Sequence, residues 1–563
     1  MAPFIAAVSG AVAIFLYWMY SRYRQKKQIR QQLAESWGKK KAIDHNWAQI
    51  RFYHDLVVNE QSGVVIDDDT WDDLNFDKLF KLIDRTESNI GQQVLFDMLR
   101  RPVQDAQTLE ARERWIDIFG DEPDLRLDLQ VELRKLTGFR IWRLSNLIFE
   151  ALPQIPRWFY GFLVIPVLAV VSIVLGFLNP VFFVGLAILP VVNLAIQYVV
   201  GNRLARYTAA LSALQPFLSA AERIAQIDEE HGSPLEDFGQ QLRSYAKQLQ
   251  TLKKRVSKFL YEGSPDNMGT LLWDYLNILF LLKINMFTLS VRALSQHKKI
   301  LQQLYYKIGY LDAMISAASF KVDLDQYCKP TFQSEGRLNY QDVYHPLLDK
   351  PVPNSITVGR QGILVTGSNM SGKTTFLKTI GVNQILAQTF NFCCAAQADI
   401  SFCNVISSMR RNDDLTEGKS FYLGEVERVK KLVDQAAQKD GSNLYLLDEI
   451  FRGTNTIERI SASLEVLKWL NSSSDFVLAS THDLELVDLL DEEYEFYHFA
   501  EEVHDQTLTF DYKIKLGYSS TKNAIKLLGI CNYPEEIVSG AMEVSKLLEQ
   551  QGVINYSNPS DSK

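Results

Sequence analysis

Nine residues set the chemistry this chain can attempt: "GSNMSGKTT", Gly367 to Thr375. They follow the apolar run 363–365 and open a helical pattern, the strand–loop–helix context of a phosphate-binding P-loop. Gly367 and Gly372 let the backbone wrap an anion, so the N–H groups of Ser368, Asn369, Met370 and Ser371 are expected to turn inward. Lys373 places a point charge on the β- and γ-phosphates of ATP, and Thr374 offers a hydroxyl to Mg²⁺. From Thr375 the helix aims its positive end at the phosphates. "SNLYLLDEIFRGTNT" supplies an apolar strand over 444–447 that ends on Asp448 and Glu449. Asp448 is expected to hold Mg²⁺ through water, and Glu449 to orient or deprotonate the attacking water. "DFVLASTHDLELVDLL" supplies a third strand, 476–479, with His482 just past its end and within reach of a γ-phosphate. The order P-loop, strand-Asp-Glu, strand-His is that of an ATP hydrolase of the ABC superclass, an α/β P-loop domain.

The elements that must position these residues are less ordinary. The chain has 563 residues, enough for three or four units, with 47% hydrophobic and 22% charged residues. A net charge of −8 gives no global basic field for nucleic acid, although a local patch would suffice. The five cysteines show no CxxC pair or zinc spacing and read as free thiols in a reducing compartment. Apolar residues are unevenly placed. Residues 3–20 are uncharged and precede the basic cluster Arg22, Arg24, Lys26, Lys27 and Arg30, the order of a membrane span with its N-terminus outside. Residues 158–202 contain no Asp, Glu, Lys or Arg. As one helix they would run about 68 Å, over twice a ~30 Å hydrocarbon core. Gly176 and Asn179-Pro180 break the run, which predicts two spans near 158–177 and 180–201 with a turn between. Basic residues on both flanks put both ends in the cytoplasm. A soluble core of two helices apolar all round is the alternative. The interrupted run 271–287 is expected to be a buried amphipathic helix and not a span.

Taken together, "GSNMSGKTT", "DDLTEGKSFYLGE", "LLDEIFRGTNT" and "STHDLEL" resemble the ATPase domain of the MutS family, the DNA mismatch-repair ATPases. The tail "YKIKLGYSSTKNAIKLLGICNYPEEIVSGAMEVSKLLEQ" resembles that domain's closing helical segment. Residues 82–119, "LIDRTESNIGQQVLFDMLRRPVQDAQTLEARERWIDIF", resemble the opening of the MutS core or lever domain, and 299–320 the lever helix returning to the ATPase. The resemblance implies that Asn369 is the P-loop asparagine, Lys373 and Thr374 the phosphate and Mg²⁺ residues, Asp448 and Glu449 the Walker B pair, and His482 the switch histidine. It also implies that Ser420 is the signature serine that reaches the γ-phosphate bound by a second subunit. That arrangement is a homodimer with two composite ATP sites.

The pattern is not followed everywhere. Where the family has Ser-Thr-Phe, this chain has Ser420, Phe421 and Tyr422. After Walker B, Phe451 replaces the first Gly of Gly-Arg-Gly-Thr-Ser-Thr, and Asn455 the Ser. The family's adenine-stacking aromatic falls near Val352, with Tyr340 and Tyr344 as nearby substitutes. The segment 21–70 is too short for a mispair-recognition domain and has no Phe-x-Glu. The expected organisation is a span over 1–20, a basic linker over 21–70 and a first core or lever part over 71–157. A transmembrane hairpin follows over 158–202, then a helical lever or reduced clamp over 203–325, the ATPase over 326–550 and a disordered tail over 551–563. The fold class is thus a P-loop ATPase domain, an all-α lever and three transmembrane helices. The partners expected are a second copy of the chain, the lipid bilayer and, through the basic stretch Arg243 to Lys258, DNA. The function expected is a membrane-anchored MutS-like ATPase that couples nucleotide state to lever movement and binds DNA in repair-type processes. The alternatives are a DNA-tethering clamp switched by ATP and an ABC-type transporter subunit. The last lacks an LSGGQ signature and pathway polar groups in the hairpin.

Overall fold

A computed structural model describes residues 2–58, 64–152, 155–257, 275–333, 336–368, 371–409, 421–438, 441–472, 475–504, 507–518, 525, 528–529, 531 and 533–550. The chain forms two compact units. One comprises Met1–Ser62, Ile83–Asp97 and Arg114–Asp323; the other comprises Gly63–Leu82, Met98–Glu113 and Leu324–Lys563. The second unit therefore takes one piece that runs from the expected linker into the expected first lever part, 71–157, and another from within that part.

The first unit is helical. Its longest helix, Leu282–Asp323, has 42 residues and spans roughly 63 Å at 1.5 Å per residue. Tyr53, Phe149, Phe217 and Tyr305 pack ring to ring in its core, with centroids 5.1 to 6.1 Å apart. The two lever-like sequence segments meet here. Asp312, fully buried, accepts hydrogen bonds from the backbone N–H of Glu87 (2.9 Å) and Ser88 (2.7 Å) and from Ser88 Oγ (2.6 Å). These groups precede the helix Asn89–Arg100, so a carboxylate from a distant helix satisfies donors at that helix start. Gly91 is required there, because a Cβ would lie 2.2 Å from Asp312 Oδ2.

The uncharged stretch forms a helical hairpin, Arg157–Gly176 and Pro180–Val200, and among the described residues these two helices are long and apolar enough to cross a membrane. Only 17% and 11% of their most apolar windows are buried, so they are not the core of this unit. The turn works as its residues suggest. Asn179 Oδ1 accepts from the Val181 N–H at 3.1 Å, and Gly176 lets the Phe183 ring close to where a Cβ would sit. The N-terminal apolar run lies in the helix Ala2–Ser36, whose side chains 15–20 are exposed.

The run 271–287 is not one amphipathic helix. Residues 271–274 lie outside the described set, and the helix breaks at the buried Leu281, whose φ is +52°. A break frees backbone carbonyls, which need donors in an apolar setting. Three side-chain amides supply them. Asn193 Nδ2 donates to the carbonyls of Ile278 and Leu279 (both 2.9 Å), Gln197 Nε2 to Asn277 (3.1 Å) and Asn285 Nδ2 to Phe280 (3.3 Å). The second hairpin helix is thus tied to residues 277–279, just before the break that precedes the 42-residue helix.

The second unit is built on two sheets. Its strands are β1 Thr331–Phe332, β2 Leu338–Val343, β3 Asn354–Val358, β4 Gly362–Thr366, β5 Gln397–Ile400, β6 Asn404–Ser408, β7 Asn443–Asp448, β8 Phe476–Ser480, β9 Tyr494–His504 and β10 Thr507–Leu516. A four-stranded sheet has the order β1-β5-β2-β3, and a six-stranded sheet the order β10-β9-β4-β8-β7-β6. In the larger sheet β9, β4, β8, β7 and β6 run parallel. Every residue of β4, β7 and β8 is buried, as expected for strands covered on both faces. The helix Lys373–Phe390 covers one face. There Gly381 permits close approach, since a Cβ would meet Leu446 Cδ1 at 2.6 Å. Tyr445 and Leu447 point the other way, into a cluster with Leu432 and Leu467. The helix Glu535–Gln550 closes the described chain.

Candidate functional site

Parallel pairing brings the three motifs to one edge. Val365 of β4 and Asp448 of β7 both register with Ser480 of β8, so the residues after each strand emerge side by side. The carboxyl ends of parallel strands form the crevice where ligands bind in open α/β sheets. The backbone extends that alignment: Glu449 N–H donates to the Ser480 carbonyl and Thr481 N–H to the Val365 carbonyl, both at 3.0 Å.

The loop after β4 has the backbone that its glycines permit. Gly367 has φ +137° and Gly372 φ +111°, both closed to ordinary side chains. A Cβ on Gly367 would sit 2.8 Å from the Phe499 carbonyl oxygen. The helix Lys373–Phe390 starts at Gly372 and points its unpaired N–H groups into the cleft. Lys373 Nζ folds back on the carbonyls of Gly367 (2.7 Å) and Ser368 (2.9 Å) and lies 3.7 Å from Glu449 Oε1. Its burial lowers its pKa, against the pull of Glu449 and Asp448. Ser371 is buried, and its Oγ has no hydrogen-bond partner among the described residues. An orphaned hydroxyl beside the N-terminus of the helix Lys373–Phe390 suits a multiply charged phosphate. Asn369, Met370 and Ser420 lie outside the described residues.

Thr374 Oγ1 donates to Asp448 Oδ2 at 2.7 Å, and Ser480 Oγ also donates to this carboxylate. Two hard oxygen ligands in contact fit Mg²⁺, which prefers carboxylate, hydroxyl and water oxygens. Glu449 is wrapped in cations: Arg452 Nη2 at 2.6 Å, His482 Nδ1 at 3.3 Å and Lys373. Burial raises its pKa, but the His482 hydrogen bond and the charges of Arg452, His482 and Lys373 prevail and hold it down to about 2. So weak a base must lose some of these partners before it can take a proton from water. His482 is raised in turn, chiefly by its hydrogen bond to Glu449.

That pairing predicts a pH signature. The folded pKa of His482 lies above its ordinary 6.5, so its contribution is complete below 6.5 and lost as pH rises through the folded value. Glu449's folded value lies below its ordinary 4.5, so its contribution is complete above 4.5 and lost as pH falls towards about 2. The stability gap between the protein and His482→Gln should therefore be widest between pH 4.5 and 6.5 and shrink above that window. Thermal melts of nucleotide-free protein across pH read it, and a gap that ignored pH would contradict the pairing.

The cleft, about 590 Å³, is lined by Ser368, Gly372, Lys373, Thr374, Thr375, Asp448 and Glu449. It also exposes residues the motifs did not point to, among them His345, Phe499 and Tyr512, together with Arg452 from the stretch after Walker B. Neither aromatic considered for base stacking is there. Tyr340 is fully buried with its hydroxyl on Gln384 Oε1 (2.6 Å), and Tyr344 donates to the Gln326 carbonyl (2.6 Å). Both are spent on fold contacts, and Tyr512 and His345 present rings in their place. Burial drives His345 down to about 4, so it is neutral. Its Nδ1 accepts from the Leu347 N–H at 3.2 Å, which leaves the proton on Nε2. No periodicity could flag these two, since each sits on a loop or strand far in sequence from the P-loop.

Phe451 stands in a left-handed conformation, φ +60°, at a position where glycine is free and a side chain costs roughly 1–2 kcal/mol. It is buried, and its ring meets that of Tyr422 with centroids 6.4 Å apart. Two of the motif departures therefore touch each other.

Comparison with known proteins follows the same residues. Residues 363–549 match the family profile of MutS domain V. A DNA mismatch repair protein MutS from Methanosarcina mazei is 28% identical over 295 residues, 50% of this chain and 32% of the relative. One from Pseudothermotoga lettingae is 33% identical over 228 residues, 39% of this chain and 28% of the relative. MutS protein homolog 4 of Homo sapiens is 29% identical over 273 residues, 46% and 28% of the two chains. The chain spans about a third of the length of these curated relatives.

Proposed function

The chain belongs to the MutS family through its domain V, residues 363–549, and from that premise we propose that it is a membrane-anchored ATPase working as a homodimer. The observation that carries the reading is the cleft in which Lys373, Thr374, Asp448 and Glu449 converge. Lys373 leaves its loop carbonyls for the β- and γ-phosphates when ATP enters. Thr374 and Asp448 would hold Mg²⁺, which neutralises charge on the phosphate oxygens. Loss of Lys373 to the phosphates frees one side of Glu449, which then orients water and receives its proton. His482 stays within reach of Glu449 and of the γ-phosphate. Ser420 of each chain completes the site of the other.

The apolar hairpin supports anchoring, because its exposed residues are those a bilayer would cover and its helices match the hydrocarbon thickness. With the span over 3–20, this gives three crossings and a cytoplasmic ATPase. The amide ties from Asn193 and Gln197 to residues 277–279, and from Asn285 of the long helix to the Phe162 carbonyl, link the hairpin to the long helix and the residues before it, a route by which lever motion reaches the membrane. DNA binding is the second reading, favoured by the relatives' names as DNA mismatch repair proteins. The basic stretch adds little to it, since Arg243 is paired with Glu229 and Lys253 with Glu222.

The test is ATP turnover by the full chain in lipid nanodiscs, with and without Mg²⁺ and with homoduplex, mismatched or branched DNA. Mg²⁺-dependent turnover is expected. Its absence in every condition would sink the ATPase reading, and stimulation by one DNA form would establish the second.

A further inference from the structure

Two of the free cysteines face each other across a bridge between distant segments. Cys328 and Cys393 both lie in the second unit. Cys328 follows shortly after the chain re-enters that unit at Leu324, and Cys393 comes just after the helix Lys373–Phe390. The two residues exchange both backbone hydrogen bonds. Cys328 N–H donates to the Cys393 carbonyl at 3.0 Å, and Cys393 N–H to the Cys328 carbonyl at 3.1 Å. A hydrogen-bonded antiparallel pair of this kind sets its Cα atoms about 5.5 Å apart, within the usual span of a disulfide. The side chains already meet, with Sγ to Sγ 3.6 Å. Closing to the ~2.05 Å of an S–S bond asks for side-chain rotation rather than backbone movement.

The two sulfurs differ in what they can do. Cys328 is half-buried, and Gln326, Tyr327 and Lys329 around it are exposed, so a small oxidant reaches it. Cys393 is fully buried. The Cys393 S–H, donating to the Cys328 sulfur, holds Cys328 below the ordinary thiol range. The same bond, together with burial, pushes Cys393 up. Burial also pushes the adjacent Cys394 up to about 12. The thiolate is the reactive form, so an accessible nucleophile here is backed by a buried thiol. Redox-sensing cysteines pair an accessible sulfur with a resolving one in this way.

We propose that Cys328 and Cys393 form a reversible oxidation site, in which a hydroperoxide oxidises Cys328 and Cys393 resolves it to an intramolecular disulfide. The Cys328 thiolate attacks a peroxide oxygen. An S–O bond forms, the O–O bond breaks, and the departing hydroxide takes up the proton that Cys328 released. The Cys393 sulfur then attacks the sulfenic sulfur of Cys328. The S–S bond forms, the S–O bond breaks, and the hydroxide leaves as water with the Cys393 proton. Two thiols and one hydrogen peroxide thus give one disulfide and two waters. A dithiol reverses the bond by exchange. Resting thiols in a reducing compartment are what such a site requires, since disulfides there are transient. The bond would join the start of this unit's C-terminal piece to the end of the helix Lys373–Phe390. Neither step needs nucleotide, so the site is independent of the ATPase reading above.

The test treats the full chain in lipid nanodiscs with hydrogen peroxide, blocks the remaining thiols with N-ethylmaleimide and maps unreduced peptides by mass spectrometry. A Cys531→Ser background removes the exposed thiol that could cross-link two chains. Free thiols should fall by two per chain, and a linked Cys328–Cys393 peptide should appear that dithiothreitol releases. Cys393 and Cys394 adjoin, so variants assign the partner. Cys394→Ser should keep the link. Cys393→Ser should lose it and leave Cys328 as a sulfenic acid that dimedone traps. If Cys393→Ser does not fold, fragment spectra of the linked peptide from unmodified Cys393 make the same assignment. In Cys328→Ser the remaining thiols should react with peroxide at least about tenfold more slowly. Peroxide that consumes thiols without linking Cys328 to Cys393 would overturn the proposal, as would an unchanged thiol count or a link that persists in Cys393→Ser.

Discussion

Replacing Glu449 with Gln should leave ATP binding intact and lower kcat by about 10²–10⁴-fold, the usual worth of a positioned general base. The amide has nearly the same shape but cannot accept the proton that attacking water must lose. It also loses its charge pairing with Arg452, His482 and Lys373, so the nucleotide-free site should loosen. With both ATP molecules unhydrolysed, the two ATPase domains should remain closed on each other. Light scattering of the variant with Mg²⁺ and ATP should therefore report a persistent dimer, and a single-turnover assay should show bound ATP not converted. Ordinary turnover in Glu449→Gln would remove Glu449 from the role given to it.

Lys373→Ala should act one step earlier and abolish measurable nucleotide binding, a loss of at least about 10²-fold or roughly 3 kcal/mol. Lys373 is 4% exposed and reaches the two loop carbonyls that face the cleft. No other lysine or arginine among the described lining residues lies on the P-loop side. Lys350 comes from another loop, and Arg452 is committed to Glu449. In the empty protein the same change removes a cation from beside Glu449, so the Glu449 carboxylate should titrate at higher pH. A fluorescent ATP analogue titrated against the variant measures the first effect. Binding at the affinity of the unmodified protein would mean that the phosphates lie elsewhere.

The two variants differ in what they leave behind. Lys373→Ala should yield a nucleotide-free chain in which the helix Phe421–Gln438 keeps its hydrogen exchange pattern. Glu449→Gln should yield the closed state. Comparing the two separates the effect of ATP occupancy from that of hydrolysis without changing any residue of the lever.

The sequence determined every feature that depends on neighbours along the chain. The P-loop glycines were legible because a tight anion-binding turn needs positive φ at fixed spacing, and Gly367 and Gly372 adopt it. The hairpin was legible because an uncharged run has a length, and Gly176, Asn179 and Pro180 interrupt it where the turn falls. The strands ending on Thr366, Asp448 and Ser480 were legible as short apolar runs bounded by polar residues. Tertiary structure alone decided what depends on residues brought together from afar. Tyr340 and Tyr344 are near the expected stacking position in sequence, yet face the core, because side-chain direction follows strand register and not proximity. His345 and Tyr512 reach the cleft from opposite ends of the ATPase sequence. Leu281 breaks a helix that periodicity would have continued, since Asn193, Gln197 and Asn285 satisfy the freed carbonyls. Asp73, one acidic residue in an acidic stretch, finds its partners Ser407, Met409 and Arg428 more than 300 residues away. A local window carries propensity and spacing, and these suffice for a loop or a span. Burying a charge or opening a helix is stable only when the compensating group is present, and only the folded chain supplies it.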